Sequence, residues 1–101
     1  MPAGLIEVVV AYDVATDTAA GRRRLRKAAQ TCLAYGQRVQ NSVFECRVTA
    51  PQLEELEDRL VRLMDLGQDR LRIYRLPGPR ERLVKIHGLT PPHDLREPLI
   101  V

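Results

Sequence analysis

The sequence predicts an α+β fold, because helical and strand patterns alternate along its 101 residues. A nearly continuous, β-branched apolar run over residues 5–12 predicts a central first strand that ends at Asp13. Apolar residues then recur at helical spacing over residues 21–35, and Gly36 is expected to stop that helix. The first third of the chain is therefore expected to form a strand followed by an amphipathic helix.

The rest of the chain continues this alternation. Two short strand patterns end near residues 39 and 48 and flank a predicted turn at Asn41-Ser42. Pro51 suits the first turn of a second helix that closes at Leu66-Gly67, and residues 69–76 alternate as a half-exposed strand does. The order β-α-β-β-α-β predicts a ferredoxin-like domain, with an antiparallel sheet and both helices on one face.

Residues 82–87 predict one extra C-terminal strand, which gives a domain over residues 1–87 and a proline-punctuated tail over residues 88–101. An added strand must find a sheet edge, and a second copy of the chain supplies one. We therefore expect this strand to be exchanged across a homodimer.

Composition narrows the class of protein. Hydrophobic residues make up 45% of the chain and charged residues 29%, values typical of soluble globular proteins. No signal peptide or membrane span is predicted, so we expect a cytoplasmic protein without membrane contact. Cys32 and Cys46 match no metal or disulfide spacing and are expected to be buried, reduced thiols.

A cluster of cations opens the first predicted helix: Arg22, Arg23, Arg24, Arg26 and Lys27. The helix dipole disfavours cations there, and like charges four residues apart each cost roughly 0.2–0.5 kcal/mol. Phosphate binding explains why such a sequence would be kept, although a solvated face or a GC-rich genome would also enrich arginine.

Asp13 is the candidate metal ligand, because it ends the first strand. Mg²⁺ commonly takes one or two carboxylates together with water and substrate phosphate, so one aspartate is too few for a tight site in one chain. Two copies of Asp13 across a dimer would be sufficient. Spacing alone favours the alternative that Asp13 caps the turn toward Thr16.

The only phenylalanine, Phe44, follows the predicted hairpin turn. A place in the core is its default interpretation, and stacking on a base is the alternative.

Several segments resemble the second CRISPR-associated adaptation protein. They are Val10-Ala11-Tyr12-Asp13-Val14, residues 24–29 and the hairpin stretch over residues 35–46. Residues 69–76 and the terminal Pro98-Leu99-Ile100-Val101 are similar to members of the I-C subtype. The likeness covers nearly the whole chain, and its hairpin motif is long enough to be specific.

The resemblance implies a ferredoxin-like homodimer whose C-terminal strands cross to the partner's sheet. It implies that Asp13 and its dimer mate coordinate Mg²⁺, with Asp13 as the catalytic residue. Members are described as metal-dependent endonucleases on single-stranded RNA or duplex DNA, and also as a central subunit of the spacer-integration complex beside the CRISPR integrase.

Positions that match residues implicated in the family are Tyr12, Asp13, Arg24, Arg38, Ser42 and Phe44. The predicted nucleic-acid contacts come from these positions and from the cationic cluster: Tyr12, Arg22, Arg23, Arg24, Arg26, Lys27, Arg38, Ser42 and Phe44. We expect metal-assisted phosphodiester hydrolysis, with the first helix and Arg38 clamping the backbone. No histidine or second carboxylate is obviously placed as a general base, which weakens the prediction of an enzyme.

Two other functions compete with the nuclease. In the first, the dimer is a non-catalytic DNA-binding scaffold whose apolar end, Leu99-Ile100-Val101, docks on the integrase. In the second, the domain is a regulatory module that binds a small ligand. An RNA-recognition domain of similar topology is disfavoured, because three tyrosines and one phenylalanine form no aromatic cluster.

Overall fold

The computed structural model describes residues 4–89. The elements follow the predicted order and are β1 (Ile6–Asp13), α1 (Ala19–Leu33), β2 (Gly36–Gln40), β3 (Val43–Val48), α2 (Ala50–Leu63), β4 (Arg70–Leu76) and α3 (Arg80–Leu83). The four strands form one sheet in the order β2-β3-β1-β4, and every neighbouring pair is antiparallel. This arrangement confirms the ferredoxin-like fold.

One face of the sheet is covered by the two long helices. Alternate residues of β1 and β3 enter this core, and α1 and α2 contribute their apolar stripes to it. The buried side chains include Val8, Val10, Phe44, Cys46, Val48, Ala28, Cys32, Leu56 and Leu60. The other face of the sheet, which we call the outer face, carries the remaining strand residues.

Local signals explain where the helices begin. The side chain of Thr18 accepts a hydrogen bond from the Gly21 N–H and so caps α1, whereas the preceding Asp17 does not act as the N-cap. At α2, Thr49 and Gln52 form a reciprocal capping box, and Pro51 lies in the first turn as predicted.

Gly36 has a different role from the predicted one. Helix α1 ends at Leu33, and Gly36 is the first residue of β2. A Cβ atom at Gly36 would collide with the carbonyl oxygen of Glu45 and the sulfur of Cys46 on β3. This glycine is therefore required by the close approach of two strands and not by the end of a helix.

Both cysteines are buried and free, as predicted. Burial, with the neighbouring Cys46 as a second cause, raises the pKa of the Cys32 thiol to about 12. Burial also raises the pKa of Cys46 to about 11. Both thiols therefore stay protonated and unreactive at neutral pH.

The extra strand predicted over residues 82–87 does not form in the single chain. Instead, Pro79 precedes one helical turn, Arg80–Leu83, that ends with the Val84 N–H bonded to the Arg80 carbonyl. Ion pairs favour this turn, because Arg47 lies 3.0 Å from Glu81 and Arg80 lies 3.6 Å from Glu45. Exchange of a strand with a second copy stays a prediction, and residues 90–101 lie outside the described part of the chain.

Candidate nucleic-acid interface

Asp13 is the last residue of the central strand β1, and its side chain is exposed on the outer face. On one side of it lies the β2–β3 turn, since the Tyr12 N–H donates to the Ser42 carbonyl at 3.1 Å. On its other side lies the start of β4, where Arg70 pairs with Asp13 across the ladder. The carboxylate therefore lies where three segments of the chain meet at one end of the sheet.

The start of α1 packs directly on the loop that follows Asp13. A Cβ atom at Gly21 would overlap the carbonyl oxygen of Ala15, so only glycine allows this contact. Arg22 reinforces it, because its Nη1 donates to the Thr16 carbonyl at 3.1 Å. The acidic end of β1 and the cationic start of α1 are therefore close neighbours in the fold.

Four of the five predicted helix cations are exposed: Arg22, Arg23, Arg26 and Lys27. We call this set the α1 cations. The first turn of α1 contains no acidic residue that would neutralise them. Their exposure keeps them available for phosphate, as the prediction requires.

Arg24, the fifth cation of the cluster, has a structural partner instead. Its Nε lies 2.8 Å from Asp69 Oδ2 and its Nη2 lies 3.3 Å from Asp69 Oδ1. The Asp69 side chain is fully buried and that of Arg24 is 16% exposed. The phosphate contact predicted for Arg24 stays a prediction, and this bidentate pair gives its guanidinium a structural role in the single chain.

Asp69 connects three separate parts of the fold through its buried carboxylate. Besides Arg24 on α1, it accepts the Ala15 N–H at 3.0 Å and the Asp65 N–H at 2.9 Å. Burial by itself raises the pKa of Asp69, but the hydrogen bonds from Arg24, Asp65 and Ala15 outweigh burial and leave this pKa below its usual value. Asp69 therefore holds the loop after Asp13 against α1 and the turn that follows α2.

The lowered pKa of Asp69 predicts a pH-dependent stability. Its unfolded pKa is about 3.9. Between that value and the lower folded pKa, the unfolded chain binds more protons, so the free energy of unfolding falls as the pH is lowered. We expect Asp69→Asn to destabilise the fold by about 3 kcal/mol at neutral pH, because it removes one partner of a buried ion pair. Urea midpoints of the wild type and of Asp69→Asn should be measured from neutral pH down to about pH 3. The difference between the two midpoints should shrink below about pH 4.

Asp58→Asn is the matched control, because Asp58 forms an exposed ion pair with Arg62 within α2. Such pairs contribute little to stability, so the control should track the wild type at every pH. A difference between Asp69→Asn and the wild type that persists unchanged into acid would contradict the assigned role of the Asp69 carboxylate.

Phe44 and Tyr12 are core residues and are not available at the surface. Phe44 is 0% exposed and Tyr12 is 7% exposed, with their rings stacked at a centroid distance of 6.1 Å. Burial, with Cys32 as the next cause, raises the pKa of Tyr12, while the nearby Arg38 and Ser42 side chains lower it by less. Base stacking by Phe44 and direct contact by Tyr12 stay predictions, and the burial of both rings in the single chain favours a core role for them.

Arg38 and Ser42 border this aromatic pair. The Arg38 guanidinium lies 5.3 Å from the centroid of the Phe44 ring, and this cation–π contact helps to position the arginine side chain. Arg38 itself is exposed on the edge strand β2. Ser42 is half-buried in the hairpin turn beside Tyr12. Ser42 thus lies at the Asp13 end of the sheet, whereas Arg38 is aligned through Phe44 with Val10, three residues before Asp13. The predicted docking residues, Leu99, Ile100 and Val101, lie outside the described residues.

A single chain does not supply a complete metal site. Among residues 4–89, no three His, Cys, Asp or Glu side chains are grouped closely enough to hold an ion. Asp13 offers one exposed carboxylate, which is too few for a tight Mg²⁺ site. The described residues of one copy therefore do not fit such an ion.

Two residues at this end were not identified as part of a site from the sequence. Asp69 appeared only as the first residue of an alternating strand, and its partner Arg24 is 45 positions away. Arg70 appeared as one of several arginines on that strand, and only the strand pairing places it opposite Asp13. No local sequence pattern indicates the Arg24–Asp69 ion pair or the Asp13–Arg70 pairing, because both depend on which elements pack together in the fold.

The fold and this end of the sheet define a class: a small ferredoxin-like protein with an exposed strand-end carboxylate beside a cationic helix start. The family described as CRISPR associated protein Cas2 matches residues 6–82. The chain belongs to the Cas2 family. No helix of residues 4–89 is both long and apolar enough to cross a membrane.

Relatives and solved structures agree with this assignment. The chain is 46% identical over 94 residues to CRISPR-associated endoribonuclease Cas2 1 of Moorella thermoacetica, covering 93% of this chain and 98% of the relative. It is 50% identical over 93 residues to CRISPR-associated endonuclease Cas2 of Halalkalibacterium halodurans, covering 92% and 97%. The crystal structure of Streptococcus pyogenes Cas2 at pH 6.5 aligns with a TM-score of 0.74 at 48% identity, covering 81% of this chain and 99% of that one.

Proposed function

We propose that this chain is a CRISPR adaptation protein of the I-C subtype that acts in the cytoplasm as a homodimeric, metal-dependent nuclease. The observation that carries the proposal is the exposed Asp13 carboxylate beside the α1 cations. Two relatives are named endoribonuclease and endonuclease, which supports phosphodiester hydrolysis as the reaction. The homodimer would pass its cleavage product, or a duplex that it binds, to the CRISPR integrase during spacer integration.

The outer face of the sheet supports a homodimer. Its centre carries half-buried apolar side chains, such as Val9, Ala11 and Val43, and no long helix covers them. Tyr74 adds an aromatic side chain that is 46% exposed. Because a sheet face of this kind is stabilised when apolar area is removed from water, a second copy is the occupant that we propose.

A dimer across this face would bring a second Asp13 toward the first. Two carboxylates with water and substrate phosphate form the oxygen set that Mg²⁺ takes, which one chain cannot supply. The bound ion would neutralise charge that develops on phosphate and lower the pKa of its water.

The chain's own cations would hold the nucleic-acid backbone. The α1 cations project from the helix that packs on the loop after Asp13, and Arg38 lies exposed on β2. Arginine donates to phosphate through two parallel N–H groups, so each side chain fixes both position and charge. A nucleic-acid strand held by these cations would pass the Asp13 carboxylate. Either single-stranded RNA or duplex DNA presents the required phosphates.

Asp13→Asn tests the proposed chemistry. We expect Mg²⁺-dependent cleavage of single-stranded RNA or duplex DNA to fall at least about 100-fold, because metal catalysis contributes several kcal/mol to the rate. Binding of the same substrates in EDTA should change by less than about threefold, since Asp13 itself does not contact phosphate when no ion is bound. Cleavage is measured on labelled substrates with each variant purified identically.

Asp17→Asn is the matched control, because Asp17 is an exposed carboxylate on the loop after β1 and carries the same charge. It should cleave as the wild type does. Undiminished cleavage by Asp13→Asn, free of contaminating nuclease, would refute Asp13 as the catalytic residue.

A non-catalytic scaffold is the second candidate function. It is favoured by one observation: the described residues offer no metal-binding group of acidic or histidine side chains that includes Asp13. In this case the α1 cations would hold a duplex, and the apolar terminus Leu99-Ile100-Val101 would dock on the integrase. Intact duplex binding without Asp13-dependent cleavage is the result expected of this scaffold.

A further inference from the structure

We propose that Arg70 is a phosphate-contacting residue that completes the Asp13 end of the interface, an inference that rests on the proposed nucleic-acid function. Arg70 is the first residue of β4, and it is exposed. It was not among the residues that the sequence singled out, and it does not belong to the α1 cations.

The strand pairing places Arg70 and Asp13 on the same face. The two residues are directly opposite each other in the antiparallel ladder between β1 and β4. Residues in such a position have Cβ atoms about 4.5–5.5 Å apart and project to the same side of the sheet. Tyr12 and Leu71, the adjacent pair in this ladder, face the core, which fixes Asp13 and Arg70 on the outer face.

Arg70 differs from several other arginines of the fold in having no acidic partner. Arg24, Arg47, Arg62 and Arg80 each have a carboxylate within 4 Å. Arg72 donates to the Tyr74 hydroxyl at 3.0 Å. Within residues 4–89, the guanidinium of Arg70 takes part in no side-chain hydrogen bond or ion pair, although an aspartate faces it across the ladder. A guanidinium in this position is free to donate to a phosphate.

The backbone at Arg70 is held in place by its neighbour. Asp69 is buried and accepts hydrogen bonds from Arg24, Ala15 and Asp65. Its backbone N–H also donates to the Asp65 carbonyl at 2.8 Å. The start of β4 is therefore fixed relative to both α1 and the loop after Asp13, so little order must be created when Arg70 binds.

A phosphate at Arg70 would be held beside the Asp13 carboxylate. The α1 cations would contact the backbone on the helix side, and Arg70 would contact it on the outer face of the sheet. Cations on both α1 and β4 would fix the direction of the bound nucleic-acid strand, whereas cations on α1 alone would not. Arg70 would thereby orient the backbone relative to Asp13.

Arg75 provides a matched control on the same strand. It is also an exposed arginine of β4, but it borders a groove with Leu53 and Ile73 on the helix-covered side. Replacing either arginine by glutamine removes the same charge from the same strand. The two variants therefore differ in the face that loses its cation, and their effect on net charge is identical.

The test measures the binding of a short DNA duplex over a range of salt concentrations for the wild type, Arg70→Gln and Arg75→Gln. Removing one phosphate contact should reduce the slope of log K against log[salt] by about 0.9 per protomer for Arg70→Gln and leave Arg75→Gln unchanged. Urea unfolding confirms that each variant is folded at the assay temperature.

Two results would be decisive against these ideas. If Arg70→Gln and Arg75→Gln have equal slopes while wild-type binding depends on salt, the inference about Arg70 is overturned and the proposed function stands. If wild-type binding does not depend on salt, the proposed nucleic-acid function is overturned, and the assignment of Arg70 falls with it.

Discussion

Phe44→Ala should destabilise the protein by about 3–5 kcal/mol, the cost of deleting a large buried side chain and leaving a cavity. Phe44 is fully buried, with its ring stacked on Tyr12 and 5.3 Å from the guanidinium of Arg38. A domain of this size has only about 5–15 kcal/mol of stability in total. The urea midpoint should therefore fall sharply, or the variant should fail to fold at all.

Phe44→Leu keeps this experiment informative if the alanine variant is unfolded. It retains most of the apolar volume and should cost less than about 2 kcal/mol. Leu33→Ala is the control, because Leu33 is a large apolar residue that is 54% exposed. If folded Phe44→Leu binds nucleic acid much more weakly than Leu33→Ala does, the assignment of Phe44 to the core alone is wrong.

Replacing all four α1 cations by glutamine should weaken duplex binding at least about tenfold near 0.1 M salt. The four residues are Arg22, Arg23, Arg26 and Lys27, and all are exposed. Their removal eliminates phosphate contacts and the release of counterions that accompanies them. Stability should change little, because relief of like-charged pairs and of cations at a helix N-terminus offsets the loss of the exposed hydrogen bond from Arg22 to the Thr16 carbonyl.

The matched control removes the same charge elsewhere on the surface. Its four exposed cations are Arg62, Arg75, Arg82 and Lys85. Binding that falls equally in both variants would mean that net charge alone attracts the nucleic acid and that the start of α1 is not a specific interface. Weakened binding without a large loss of stability in the α1 variant is the combination expected of a functional cluster.

The fold was predictable from the sequence because its signals are local. The change from helical to alternating spacing identified each long element, and Pro51 and the Asn41-Ser42 turn marked boundaries that the structure confirms. The extra strand over residues 82–87 was not predictable in the same way. A strand needs an edge to pair with, and in the single chain the ion pairs of Arg80 and Glu81 favour a helical turn instead.

The candidate site was only partly predictable. The α1 cations are visible in the sequence because cations at a helix start break a local rule, whereas Asp13 was singled out by its place at the end of the first strand and by the family resemblance. Arg24 looked the same as its neighbours in sequence, and only tertiary structure shows that Asp69 binds it. Arg70 likewise could not be identified from the sequence, because only the pairing of β1 with β4 places it opposite Asp13.

The salt dependence of duplex binding by the wild type and by the four-glutamine α1 variant tests the central claim most directly. If the start of α1 is the interface, the slope of log K against log[salt] should be smaller in the variant by up to about 3.6 per protomer, which is about 0.9 for each of four contacts. Equal slopes for the two proteins would contradict a nucleic-acid interface at the start of α1.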